Sequence, residues 1–314
     1  MKNKLPLVSI IIPCRNEEKF IENRIKSLLK DGYPLQKIEI LIIDGKSEDK
    51  TRDIIKEYAV KFPFIKLLDN NKKETAYAFN IGINHAIGEI IILMSAHTSD
   101  EKGYIEKCIK YMYEYNIDSV IGIMKATPSK NTIMAKSIAI SLSVFFGAGN
   151  SYFRIGSNSP KLIDTAGSCY KKQVFQKIGF FNEKLKRSQD MDFSLRMNRA
   201  GIKTLLIPDI ITYYYPKDNL KDFFIHNFED GIWAILPFKF IKRPLKLRHY
   251  IPLIFVLTLP LSIWPYILVN LFFSAQIALR EKDLKYFFVV PLVFVTRHIG
   301  YGLGSFLGLI KLIF

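Results

Sequence analysis

Two carboxylates, Asp190 and Asp192, stand two residues apart in the segment KRSQDMDFSLRMNRAG, Lys186 to Gly201, at the head of a run with helical spacing. In the first turn of a helix the dipole favours negative charge, which keeps a carboxylate ionised and able to take a proton. Ser188 is placed to cap that helix. Asp192 and Arg196 lie four apart and can pair on one face, while Phe193, Leu195 and Met197 offer apolar anchors. This leaves Asp190 to face a cleft as a general base. An ordinary capped surface helix carries the same signature, so other segments have to decide between the two readings.

Those segments are the elements that would position the carboxylates. Leu7 to Ile12 is a short β-branched run ended by Pro13, the pattern of a strand buried on both faces of a parallel sheet. A helix over Glu17 to Lys30 follows, then a strand over Ile38 to Ile43 that stops at Asp44-Gly45-Lys46-Ser47. A helix from Glu48 to Val60, a strand from Phe64 to Leu68, a helix from Thr75 to Ala86 and a strand from Glu89 to Met94 continue the alternation. The rhythm predicts an α/β fold with an open, Rossmann-like doubly wound sheet. Ligands bind at the carboxyl ends of such strands, which puts Pro13 to Glu17, Asp44 to Ser47, and Ser95 to His97 along one rim. A carboxylate there, Asp44, can accept from a ribose hydroxyl or a uracil N–H, although an Asp before Gly45 also fits a plain turn. No GxGxxG follows the first strand, which argues against a dinucleotide oxidoreductase.

The composition divides the chain. Of 314 residues, 49% are hydrophobic while 24% are still charged, which implies a soluble part joined to a very apolar one. Lys and Arg number 45 against 29 Asp and Glu, a net charge of +16 that suits nucleic acid, anionic lipid or a phosphorylated ligand. No zinc spacing, RNA-binding aromatic signature or basic repeat appears, so nucleic acid is set aside as a partner. Cys14, Cys108 and Cys169 are scattered and odd in number, which fits buried residues in a reducing compartment. The apolar run near the N-terminus passes straight into Arg15, Glu17 and Glu18 and reads as a strand and not as a signal peptide. Beyond Phe238, Lys239, Lys242, Arg243, Lys246 and Arg248 alternate with Phe240, Ile241, Leu245 and Leu247, a basic amphipathic stretch suited to an anionic membrane surface. The nearly uncharged block Tyr250 to Leu279 is long enough to span, since about 20 apolar residues suffice. A second block, Tyr286 to Phe314, is interrupted by Arg297-His298 and by four glycines. The expected division is a soluble domain over 1–233, an interfacial segment over 234–249 and a membrane-embedded helical region over 250–314.

Several motifs also resemble a known family. PCRNEE at Pro13 to Glu18, IDGKSEDKT at Ile43 to Thr51, FNIGINHAIGEIIILMSAH at Phe79 to His97, AGSCYKKQVFQKIGFFNEKL at Ala166 to Leu185 and the Asp190 segment occur in the order and rough spacing of family-2 glycosyltransferases of the GT-A fold. They are most similar to the bacterial exopolysaccharide, succinoglycan-type subgroup. The resemblance implies a nucleotide-diphospho-sugar transferase with Asp190 as catalytic base, supported by Asp192 and Arg196. It assigns the nucleotide to Pro13, Arg15, Glu17 and Asp44. His97 becomes the ligand of a divalent metal, Mn²⁺ or Mg²⁺, with neutral imidazole better suited to Mn²⁺. A strand-end role for His97, bonded to Thr98 or Ser99, is the alternative, and Asn80 reads as a structural helix residue.

The departures are informative. Ser95 stands where relatives carry the first carboxylate of a metal-binding Asp-x-Asp or Asp-Ala-His. His226, Glu229, Gly231 and Trp233 stand where relatives have Gln, Arg, Gly and Trp, so the processive-synthase QxxRW pattern is absent. The expectation is a non-processive, inverting, membrane-bound enzyme moving sugar from a nucleotide-diphosphate donor to an acceptor hydroxyl, on a lipid-linked glycan intermediate of extracellular or capsular polysaccharide synthesis. The catalytic domain would lie on the cytoplasmic side of the cell membrane. Two rivals stay open: a polyprenyl-phosphate glycosyltransferase, and a catalytically silent membrane scaffold.

Overall fold

The computed structural model describes residues 5–239 and 246–313. In chain order the elements are β1 (Val8–Cys14), α1 (Ile21–Leu29), β2 (Ile38–Asp44), α2 (Thr51–Lys61), β3 (Ile65–Asp69), α3 (Thr75–His85), β4 (Ile90–Leu93), β5 (Thr98–Asp100), α4 (Tyr104–Glu114) and β6 (Ser119–Ala126). Three short helices follow, α5 (Ile133–Ser141), α6 (Phe145–Ala148) and α7 (Tyr152–Ile155). Then come β7 (Lys161–Ile163), β8 (Cys169–Lys171), α8 (Gln173–Ile178), α9 (Gln189–Arg199), β9 (Thr204–Tyr214), α10 (Leu220–Ile235), α11 (Ile251–Leu257), α12 (Leu259–Glu281) and α13 (Lys285–Ile313).

The chain divides into two compact units, one of residues 1–124 and 157–213, the other of residues 125–156 and 214–314. The first is built on a nine-stranded sheet of order β3-β2-β1-β4-β8-β6-β9-β5, with β7 beside β9. Its first four strands are parallel, as the alternating pattern predicts, with Val8 opposite Ile38 on one side and Ile90 on the other. Beyond β4 the sheet turns mixed, because β8 runs antiparallel to both β4 and β6. Successive strand residues serve opposite faces. Ile10, Ile12, Ile40 and Ile42 pack into one buried cluster with residues of α1 and α4, and Ile11, Leu41, Ile43 and Ile91 into another with residues of α3, α8 and α9. β1 continues to Cys14, past the expected end at Pro13. Its pairing with β4 stops at Ile11 opposite Leu93, so Pro13, with no N–H to give, lies beyond that ladder.

The second unit is helical. α12 and α13 are each long and apolar enough to cross a membrane, with mean hydropathy 1.4. They are joined through Lys282, Asp283 and Leu284, and much of their apolar surface is exposed, Leu261 and Trp264 on α12 and Phe288 on α13 among it. The first apolar block forms the short α11 followed by α12, each opened by a proline. The glycines of the second block let α13 approach α10 backbone to backbone. A Cβ on Gly304 would stand 1.9 Å from the carbonyl oxygen of Phe228, and one on Gly231 would stand 2.0 Å from that of Tyr301. The basic stretch predicted over 234–249 falls partly on residues 240–245, outside the described residues.

Candidate functional site

The rim of the first unit is built from two loops that interlock. After β1, Asn16 adopts a left-handed backbone (φ 55°), its N–H donates to Ser47 Oγ at 2.9 Å, and its side-chain oxygen accepts from the N–H of Glu48 at 2.9 Å. Glu17 N–H donates to Thr51 Oγ1 at 2.7 Å, and Glu18 N–H to Asp49 at 3.1 Å. The carboxyl ends of β1 and β2 are thus fixed to each other side chain by side chain. Arg15 stands above them half-exposed, 3.8 Å from Glu48.

Asp44, at the end of β2, is fully buried. It accepts from the hydroxyl and the N–H of Ser47 and from Arg52 Nη1 at 2.5 Å. Arg52 continues to Asp69 at 2.8 Å, and Lys46 reaches Asp69 at 3.0 Å. These partners, Lys46 foremost, hold the Asp69 carboxyl below the usual range. Next to Asp44, the Cys14 thiol is pushed up by burial and then by the Asp44 charge, so it stays protonated. Asp44 therefore shapes the rim from beneath it.

His97 lies on the same rim, about half exposed, with Nδ1 3.0 Å from Glu17 Oε1 and 3.2 Å from Ser95 Oγ. What holds its loop is Arg24, a residue the sequence reading passed over. Arg24 is buried on α1 and donates to the Ser95 carbonyl at 2.9 Å, to the Thr98 hydroxyl and to the Asp100 carboxylate. Asp100 also accepts from Thr212 at 2.6 Å. The available signal was position: Arg24 sits on the apolar face of its helix, three residues from Ile21 and four from Leu28. Among the described residues no group of three His, Cys, Asp or Glu side chains is assembled to hold a metal. His97 and Glu17 supply one nitrogen and one carboxylate donor at most, so a cation here would take its remaining ligands from a diphosphate and water.

Asp190 and Asp192 separate as their spacing predicts. Asp190 is exposed in the first turn of α9, and Asp192 is buried beneath it. Asp192 pairs with Arg196 at 2.9 Å, and the same guanidinium donates to the carbonyls of Ile178 and Phe180, each at 2.7 Å, closing the end of α8. Phe193 and Met197 are buried as anchors, whereas Leu195 is only half-buried. Ser188 does not cap the helix by its side chain, contrary to expectation. Its backbone is left-handed (φ 61°), and its carbonyl accepts the first helical N–H groups, those of Met191 and Asp192, both at 3.1 Å. Ser194 adds a brace by accepting from Ala166 N–H at 2.7 Å and donating to the Asp190 carbonyl at 2.7 Å. Asn80, on α3, both donates to and accepts from the Phe181 backbone at 2.9 Å, pinning the segment that leads into α9. Asp190 is near enough that its charge adds to burial in raising the Tyr170 hydroxyl well above its ordinary value.

The chain is similar to several known proteins. The sequence profile described as glycosyl transferase family 2 matches residues 9–179. The dolichyl N-acetyl-alpha-D-glucosaminyl phosphate 3-beta-D-2,3-diacetamido-2,3-dideoxy-beta-D-glucuronosyltransferase of Methanococcus voltae is 28% identical over 97% of both chains. The succinoglycan biosynthesis protein ExoA of Rhizobium meliloti is 26% identical over 95% of this chain and 86% of its own. Among solved structures, a mannosyltransferase from Pyrobaculum calidifontis in complex with GDP-Man and Mn²⁺ superposes with TM-score 0.63 at 16% identity, covering 95% of this chain and 88% of that one. The fold is that of the GT-A glycosyltransferases.

Proposed function

The chain belongs to glycosyl transferase family 2, and on that premise we propose that it is a membrane-bound, inverting, non-processive enzyme carrying sugar from a nucleotide-diphosphate donor to a hydroxyl of a lipid-linked glycan. The observation that carries the reading is Asp190: one exposed carboxylate in the first turn of a braced helix, in the same unit as the rim formed by Pro13, Arg15, Glu17, Asp44 and His97. The nucleotide sits on that rim, with Asp44 acting through Ser47 and Arg52. Asp190 takes the proton of the acceptor hydroxyl as its oxygen bonds to the anomeric carbon and the bond to the diphosphate breaks. One displacement with one base inverts the anomeric configuration. A divalent cation on His97 and Glu17 would supply charge to the leaving diphosphate, a reading favoured by the neighbour that holds Mn²⁺ beside GDP-Man.

The lipid-linked acceptor is supported by the relative named for a dolichyl-linked substrate and by the membrane-length helices α12 and α13. Lys239, Lys246 and Arg248, ahead of those helices, favour a cytoplasmic catalytic side. The test is transfer by the full-length protein from a panel of nucleotide sugars to lipid-linked and to water-soluble acceptors, with the configuration of the product determined. The reading expects lipid-dependent transfer with inversion. Retention of configuration, or equal use of a soluble acceptor, contradicts it.

A further inference from the structure

The second unit contains a recess that donor chemistry does not use. It is lined by Arg154, Lys217, Arg297, His226, Asp230 and Tyr214 among others. Three permanent cations thus share it with one carboxylate, and His226 Nε2 lies 3.3 Å from that carboxylate. Arg297 comes from the middle of the apolar α13, where a charge is costly unless something compensates it. Its hydrogen-bond partners are neutral, the Gly147 carbonyl at 2.6 Å and Asn227 Oδ1 at 3.0 Å. Arg154 lies over the Tyr214 ring at 5.4 Å, and among the described residues its buried Nη1 has no hydrogen-bond partner. A protein that buries guanidinium groups against neutral partners has donors to spare for an anion, and the planar guanidinium fork matches phosphate oxygens.

We infer that this recess binds the phosphate or diphosphate headgroup of the lipid-linked acceptor, an assignment that rests on the acceptor class proposed above. The shared chemistry is a phosphate group, which a lipid or a free phosphate could bring.

The test uses the full-length protein in detergent with three probes: a polyprenyl diphosphate, the neutral polyprenol, and inorganic pyrophosphate. Binding of the lipid diphosphate should weaken roughly tenfold or more in Arg154→Gln, with partial rescue in Arg154→Lys, because one charge-assisted contact is lost and then replaced. Lys217→Gln is the second variant should Arg154→Gln fail to fold, and it should weaken binding in the same direction. Equal affinity for polyprenol and its diphosphate, unchanged affinity in the folded variants, or pyrophosphate binding as tight as the lipid's overturns the inference. Turnover in the same preparations separates the two claims. Lipid-dependent transfer that both variants leave untouched removes this site and keeps the acceptor class. Transfer that needs no lipid, with diphosphate binding still dependent on Arg154, removes the acceptor class and keeps the anion site.

Discussion

In the first unit, function-bearing positions are fixed by polar side chains: Arg24 under the His97 loop, Arg52 beside Asp44, Arg196 between Asp192 and the end of α8, and Asn80 on the Phe181 backbone. In the second, α10 and α13 are brought together chiefly by glycines that admit a neighbouring carbonyl to within 2 Å of where a Cβ would be, with Arg297 on Asn227 as a side-chain bond between them. The difference separates two tasks. A rim proposed to hold a nucleotide and a base at defined positions is over-determined by hydrogen bonds, each directed and individually replaceable. A helical unit with exposed apolar faces adds close backbone contact, which tolerates almost no added volume.

The contrast predicts where substitution hurts most. Gly304→Val should have the largest effect, because the added carbons collide with the Phe228 carbonyl and a backbone cannot swing aside as a side chain can. Little folded protein should be recovered from membranes, and α13 should become sensitive to protease. Normal recovery with a resistant α13 would break the contrast. Next is Arg24→Met, which leaves Asp100 buried without its counter-ion at a cost of about 3–5 kcal/mol in chemical denaturation. Adding Asp100→Asn should recover part of that loss, which would mark it as electrostatic and not as a packing defect. The smallest effect belongs to His97→Ala. Its exposed imidazole bears little weight in the fold, so melting should hardly move while activity with Mn²⁺ falls roughly tenfold, a barrier change of about 1.4 kcal/mol. Wild-type metal dependence in that variant would show that His97 is not a ligand.

The parallel half of the sheet was legible because its strands are uninterrupted β-branched runs, and the rim followed from where those runs stop. The Asp192–Arg196 pair was legible because both partners share one helix face. Elsewhere the pattern was too short or the partner too distant. β5, β7 and β8 have three residues each, fewer than any periodicity needs. Arg24 shows only its place on the apolar face of α1, and its partner Asp100 is brought to it by the fold. Residues 125–156 gave no sign that they belong with the C-terminal helices, because that membership rests on contacts such as Arg297 with the Gly147 carbonyl, across 150 positions. Ser188 carried the right residue type for a cap, but its backbone is left-handed and its side chain makes no capping bond.

The central claim is that Asp190 is the base and Asp192 its support, and one paired measurement tests it: turnover, donor binding and melting temperature of Asp190→Asn beside those of Asp192→Asn. The account predicts that Asp190→Asn loses about 100-fold or more in turnover while donor binding and melting stay as in the wild type. Asp192→Asn should lower the melting temperature, because it weakens the grip of Arg196 on the Ile178 and Phe180 carbonyls. Near-normal turnover in Asp190→Asn would contradict the account.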